Sequence, residues 1–126
     1  MPSSKPKRKG SSVATGPRRS PCPVSCCLDL LGDKWSLLVV RDLILGRSRF
    51  KEFVASPEGI PTNILSERLE RLCLAEIIRQ IPAEDGTKRL AYELTAKGKA
   101  LRPVIVAMRN WGLRWQEGAQ ALLQPK

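Results

Sequence analysis

The spacing of apolar residues changes along the chain, and each change marks an element. Leu65, Leu69 and Leu72 fall at i, i+4 and i+7, so residues 60–72 read as a short amphipathic helix with Thr62 as its cap. An apolar stretch follows at residues 77–81, then the turn Asp85-Gly86, then residues 88–94, where Leu90, Tyr92 and Leu94 alternate with Ala91 and Glu93. That is the pattern of a two-stranded hairpin. Upstream, Pro23 suits the first position of a helix running to Leu31, with Cys22 as N-cap and Gly32 just past the end. Asp33 caps a second helix over residues 34–45, which is nearly all apolar and must form the buried centre. Gly46 ends it.

Arg47-Ser48-Arg49 is a short link or a one-turn strand, and residues 50–55 form a third helix with Phe50, Phe53 and Val54 inward. Ser56-Pro57-Glu58-Gly59 is a loop. Thr95 caps a last helical region from Ala96 to about Gly118, in which Pro103 implies a kink or restart. The fold class is mainly α with a small β-hairpin (α+β). Helices three and four form a helix-turn-helix pair and the hairpin lies beside it as a wing. Such a layout places one helix in a DNA major groove.

Charge adds a partner to this picture. The 126 residues hold 22 Lys and Arg against 12 Asp and Glu, a net charge of +10. Six of the cations (Lys5, Lys7, Arg8, Lys9, Arg18, Arg19) lie in the first 21 residues with no acid among them, which leaves +4 for the remainder. Residues 1–21 read as a disordered basic tail, either simply solvated or a non-specific phosphate-binding arm. Residues 22–118 read as one domain, and 119–126 as a second tail. A basic balance favours nucleic acid or an acidic surface, with plain solubility as the alternative.

The composition also excludes chemistry. Histidine is absent, which removes His-based acid–base catalysis, His-activated nucleophiles and His metal sites. There is no paired-carboxylate site, phosphate-binding loop or dinucleotide fingerprint. The chain reads as no enzyme, with no cofactor and no metal. No apolar run is long enough for a membrane span, and no secretory signal is visible. The four cysteines (Cys22, Cys26, Cys27, Cys73) then sit in a reducing cytoplasm and match neither a zinc ligand set nor a disulfide framework.

Candidate DNA contacts follow from the placement of polar residues. Thr62, Asn63 and Ser66 lie near the start of the fourth helix, where short side chains reach base edges; Arg68 and Arg71 lie on a flank. Arg49 precedes the third helix, and Lys88 and Arg89 sit near the hairpin tip, where a wing touches phosphates. Glu67 and Glu70 on the same helix are repelled by DNA, which leaves an ordinary solvated face as the alternative. The stripe Leu101, Val104, Ile105, Met108, Trp111, Trp115 spans four helical turns. A domain this small cannot cover it, so its start reads as core and its end as a subunit interface. The tryptophans read as packing anchors rather than a ligand cage. Cys22, at a helix N-cap with Arg18 and Arg19 upstream, is either a reactive thiol or a partly buried small residue. Cys26, Cys27 and Cys73 read as core.

In this order the pieces resemble the HxlR-type helix-turn-helix regulators of bacteria. They are Cys22-Pro23-Val24, Leu31-Gly32-Asp33-Lys34-Trp35, Arg41-Asp42-Leu43 with Gly46, and Arg49-Phe50 with Glu52-Phe53. Ile60, the Leu65, Leu69, Leu72 series, Tyr92-Glu93-Leu94-Thr95 with Gly98, and Trp111 complete the match over roughly residues 22–116. The resemblance implies a cytoplasmic, bacterial, homodimeric winged helix on double-stranded operator DNA, with terminal helices forming the dimer. It also implies a cysteine at the Cys22 position that senses electrophiles or oxidants in some members, and hence a small-molecule or electrophile inducer. One departure is Glu76, where the pattern usually has a glycine; a glutamate does not take the left-handed conformation cheaply, so the helix end or the first wing strand is expected to differ. Against this stands a winged-helix protein-interaction module that binds no DNA, a reading that the mild charge of the body supports.

Overall fold

The computed structural model describes residues 18–83 and 90–123. Helix α1 spans Pro23–Leu31, with Cys22 as N-cap (φ −61°, ψ 128°). Gly32 closes it in a right-handed conformation (φ −82°), so left-handed freedom is not why glycine stands there. The reason is contact: a Cβ on Gly32 would meet the Leu28 carbonyl oxygen at 2.4 Å. Helix α2 spans Ser36–Ile44, two residues later than the sequence suggests. Asp33 nonetheless organises its start, accepting from the Trp35 and Ser36 amides at 3.0 Å each and from the Ser36 hydroxyl at 2.6 Å. Val39 and Val40 are buried, as a central helix requires.

Helix α3, Phe50–Val54, is a single short turn and a half. Only Phe53 faces the core; Phe50 and Val54 are each 36% exposed, which corrects the expectation that all three point inward. A five-residue helix has only one face long enough to pack, and Phe53 occupies it against the Tyr92 ring, 6.3 Å away between centroids. Helix α4 spans Thr62–Leu74 with Pro61 as N-cap, so Thr62 is its first residue and not its cap. Leu65, Leu69 and Leu72 are buried as the periodicity predicts.

Strands β1 (Ile78–Pro82) and β2 (Leu90–Leu94) pair antiparallel, with Ile78 opposite Leu94 and Gln80 opposite Tyr92. The Asp85-Gly86 turn lies outside the described residues. The link before α3 does act as a minimal third strand: Arg49 bridges Ala91, and the Tyr92 amide donates to the Ser48 carbonyl at 2.9 Å. β2 therefore lies between β1 and this link. Ala91 is buried and Leu90, at the open end, is 48% exposed, while Tyr92 and Leu94 pack against the core.

Between α4 and β1, Glu76 has φ +63°. The expected change at this helix end does not occur: glutamate takes the conformation that glycine takes cheaply. What holds it there is a clamp from the other side of the hairpin. The Thr95 hydroxyl donates to the Glu76 carbonyl at 2.6 Å, the Thr95 amide to the Ile77 carbonyl at 3.0 Å, and Lys97 Nζ to the Ala75 carbonyl at 2.7 Å.

Thr95 also caps helix α5, Ala96–Lys99, accepting from the Gly98 amide at 3.1 Å. Gly98 is pressed so close that a Cβ would lie 2.1 Å from the Ile77 carbonyl oxygen. The chain restarts at Arg102 as helix α6, Arg102–Trp115, with Pro103 in its first turn. α6 ends three residues before Gly118. One core joins α1, α2, α3, α4 and β1 through Leu31, Val39, Phe53, Leu65, Leu72 and Ile78. Among the described residues no helix is long and apolar enough to cross a membrane.

Candidate nucleic-acid interface

The geometry of α4 sorts its polar residues into two groups. Successive residues turn by about 100°. Asn63, Ser66, Glu67 and Glu70 therefore share one face, and all are exposed. The leucines on the other side fix the helix against the core, so this face is presented on a rigid element. Thr62, in the first turn, is exposed beside it.

Arg68 and Arg71, assigned to the flank of this face, are both engaged within the chain. Arg68 Nε donates to Asp33 Oδ2 at 2.8 Å, with the two side chains only 17% and 20% exposed, and Arg68 also pairs with Glu67. Burial pushes the Asp33 carboxyl up. Hydrogen bonds from Arg68, from the Ser36 hydroxyl and from the Trp35 and Ser36 amides outweigh it and hold the group well below the usual carboxylate range. Arg71 Nη2 donates to the carbonyls of Asp29 (3.3 Å) and Leu30 (3.2 Å), which lack helical partners at the end of α1. Arg71 Nε is buried with no hydrogen-bond partner among the described residues. Both arginines tie α4 to the first two helices.

The exposed face of α4 thus carries two carboxylates and no cation. Basic residues lie on the preceding element instead: Arg49 is half-buried at the start of α3, and Lys51, two positions on, is exposed. Lys51 is a residue that sequence reasoning missed, although the alternation Arg47, Arg49, Lys51 pointed to it. Lys88 and Arg89, assigned to the wing tip, lie outside the described residues. On the described part of the wing, Arg79 is engaged by Glu93 across the strands.

Cys22 is exposed at the N-cap of α1. The amides of Ser25 and Val24, which have no helical partner at this end, hold its thiol below the ordinary cysteine value. The expected help from the upstream arginines is reduced, because Arg19 Nε donates to Asp29 at 2.7 Å. Cys73 moves the other way: burial pushes its thiol up, and Glu70 adds to this. Of the other cysteines read as core, Cys73 packs against it, and the reading needs correcting for Cys27. Cys27 is exposed, and Cys26 and Cys73 are half-buried.

α6 has no buried residue. Leu101 and Ile105 pack on the core, as expected for the start of the stripe. Beyond them Val104 (45%), Met108 (53%), Trp111 (59%) and Trp115 (61%) are exposed along one face. Arg114 lies over the Trp115 ring, 5.0 Å from its centre. At the other end of the chain Val24 and Leu28 of α1 are also exposed.

Comparison with known proteins places this arrangement. The family model for HxlR-like helix-turn-helix proteins matches residues 30–120. An HTH-type transcriptional regulator of Synechocystis is 36% identical over 96 residues, which cover 76% of this chain and 71% of the relative. PA1607, a candidate transcription factor of known crystal structure, is 40% identical and superposes with a TM-score of 0.74, covering 84% of this chain and 75% of its own. The reduced form of the Bacillus subtilis regulator YodB superposes with a TM-score of 0.64 at 31% identity, covering 80% of this chain and all of YodB.

Proposed function

The chain belongs to the HxlR-like helix-turn-helix family of transcriptional regulators, and from that premise we propose that it works as a homodimer binding operator DNA in a sequence-specific manner. The observation that carries this reading is the solvent-facing start of α4, where Asn63 and Ser66 are exposed on a helix fixed to the core by Leu65, Leu69 and Leu72. In the major groove these two side chains would meet base edges and Thr62 a phosphate or sugar. With no cation on that face, affinity would come from Arg49 and Lys51 of the preceding helix and from Lys88 and Arg89 in the sequence between β1 and β2. The face formed by Val104, Met108, Trp111 and Trp115 would pair the subunits and set the spacing of the two reading heads.

The test is a mobility shift on the promoter beside the protein's own gene, against random DNA at moderate salt. Asn63→Ala and Ser66→Ala should each lower discrimination by ~1–3 kcal/mol where the side chain hydrogen-bonds a base edge well. Lys88→Ala and Arg89→Ala should weaken all sequences alike and flatten the salt dependence. Equal effects of all four on specific and random DNA would remove α4 as the reading helix.

Cys22 adds a regulatory reading. YodB is known in a reduced and in a diamide-treated form. Exposure and a lowered thiol pKa make Cys22 the position here at which an electrophile inducer would add. Glu67 and Glu70 on the exposed face of α4 favour a second reading, a protein-interaction module. Binding that hardly changes with salt would support it, since contacts to several phosphates weaken steeply.

A further inference from the structure

Behind the apolar face of α6 lies a cavity of about 400 Å³. Ile44 and Leu45 at the end of α2 form one wall, Ile105 and Val106 of α6 the opposite one, and Leu123 of the C-terminal segment lies across them. Its volume is within the range of small-molecule sites, and its walls are apolar as those sites usually are. Its charged groups are few and unequal. Arg41 is already committed, pairing with Glu58 at 2.7 Å and with Asp42 at 2.9 Å, so the carboxylate of Glu58 on this rim is neutralised. Arg102 and Arg109 are left. Among the described residues Arg109 meets the Asn110 side-chain oxygen (3.2 Å) and has no ion pair, and Arg102 has none either. They stand seven residues apart on one side of α6, roughly 10 Å along its axis, with Ile105 and Val106 between them.

We propose that this cavity is an effector site for a small organic anion: a flat or aliphatic body of one or two rings' size carrying a carboxylate. The apolar walls take the body, and Arg102 or Arg109 takes the carboxylate in a forked pair of hydrogen bonds. Two features of its position make it an effector site rather than a passive void. Arg102, Ile105, Val106 and Arg109 lie on the side of α6 away from Val104, Met108, Trp111 and Trp115, so a subunit partner on the tryptophan face leaves the cavity open. The rim also includes Pro57 and Glu58, which belong to the turn between α3 and α4. An occupant therefore touches both the helix proposed to set the dimer and the turn that aims the reading helix. The regulatory half of the inference rests on the DNA-binding reading above; the binding half does not.

The experiment separates them. Calorimetry on the full chain, without DNA, uses naphthalene-1-carboxylate, benzoate and octanoate, each beside its neutral amide. The expected result is saturable binding of at least one carboxylate, one per chain. Its amide should bind at least about tenfold more weakly, and Arg102→Gln/Arg109→Gln should lower the carboxylate's affinity by a similar factor. Lys99→Gln, which removes a cation elsewhere on the surface, should bind as the parent does. Val106→Phe, which pushes a ring into the cavity without touching charge, should weaken binding severalfold; circular dichroism checks that it is folded. No saturable binding of any carboxylate, as when the partner subunit fills the cavity, overturns the site. So does equal binding of acid and amide, since the probe then sits on the exposed tryptophan face. Mobility shifts with the bound carboxylate then read the effector role: operator affinity should change severalfold in the parent and not in Arg102→Gln/Arg109→Gln. Binding with unchanged operator affinity overturns that role alone. A protein that binds carboxylate but no DNA overturns the DNA-binding reading instead.

Discussion

Trp115→Glu tests the proposed dimer face most severely, because symmetry doubles its effect. In the single chain Trp115 is 61% exposed. An aromatic side chain of this size buries roughly 200 Å², so about 120 Å² remains for a partner to cover, roughly 3 kcal/mol at ~25 cal/mol/Å². In a two-fold interface the residue occurs twice, which makes roughly 6 kcal/mol per dimer before the cost of burying a carboxylate is added. If relaxation recovers half of that, the dissociation constant still rises roughly a hundredfold. In the monomer fold the change should be nearly silent, since no residue of α6 is buried. Light scattering across micromolar concentrations reads the mass, circular dichroism the fold, and mobility shift the operator complex. A folded Trp115→Glu protein as dimeric as the parent would place Trp115 outside the interface and refute the argument from exposure.

Three further outcomes follow from the geometry. Arg68→Met should cost about 2 kcal/mol in urea unfolding, as expected for a partly buried ion pair with one member removed, while leaving the salt slope of DNA binding unchanged; a reduced slope would return Arg68 to the interface. Asp33 is held below its usual range only in the folded state. Its contribution is therefore complete above the unfolded value of about 4 and is lost as pH falls through the folded value, so stability should drop faster in acid for the parent than for Asp33→Asn, and parallel curves would refute the linkage. Glu76→Gly should unfold at a higher urea midpoint than Glu76→Ala, which loses the same side-chain contacts but keeps the left-handed strain of ~1–2 kcal/mol; equal midpoints would refute the strain argument.

The elements were legible because they depend on local spacing. Leu65, Leu69 and Leu72 place the core face of α4, and Thr95 and Pro103 mark the start and restart of the last helices. The errors cluster where a side chain is used by a distant element. Arg68 and Arg71 look solvated in the sequence, yet Arg68 reaches Asp33, 35 positions back, and Arg71 reaches the end of α1, 42 and 41 positions back. A signal existed: both flank the leucine face and lie well round the helix from Asn63 and Ser66. Long side chains at such positions bury their stems and carry their charge to a partner. The inward reading of Phe50 and Val54 failed for a related reason, since hydrophobicity does not say which face a helix of five residues can pack. At Glu76 the local cost is visible in the sequence but the Thr95 and Lys97 clamp that offsets it is not, because those partners come from the far side of the hairpin.

The corrected charges change how the protein would meet DNA. Once Arg68 and Arg71 are assigned to the scaffold, the reading face of α4 has Glu67 and Glu70 but no positive charge. A helix of that kind cannot be held in a groove by its own electrostatics. Under the proposed reading the holding would come from other parts of the chain, among them Arg49 and Lys51 around the start of α3. Phosphate contacts fix position and base contacts fix sequence. In the proposed complex the two tasks would fall on separate elements, with the carboxylates penalising any approach in which the flanking cations are not seated. Such an arrangement makes binding depend strongly on how α3, the wing and the partner's reading head are aligned. It is the kind of interface that a small displacement of α6, or an adduct at the start of α1, would be sufficient to disturb.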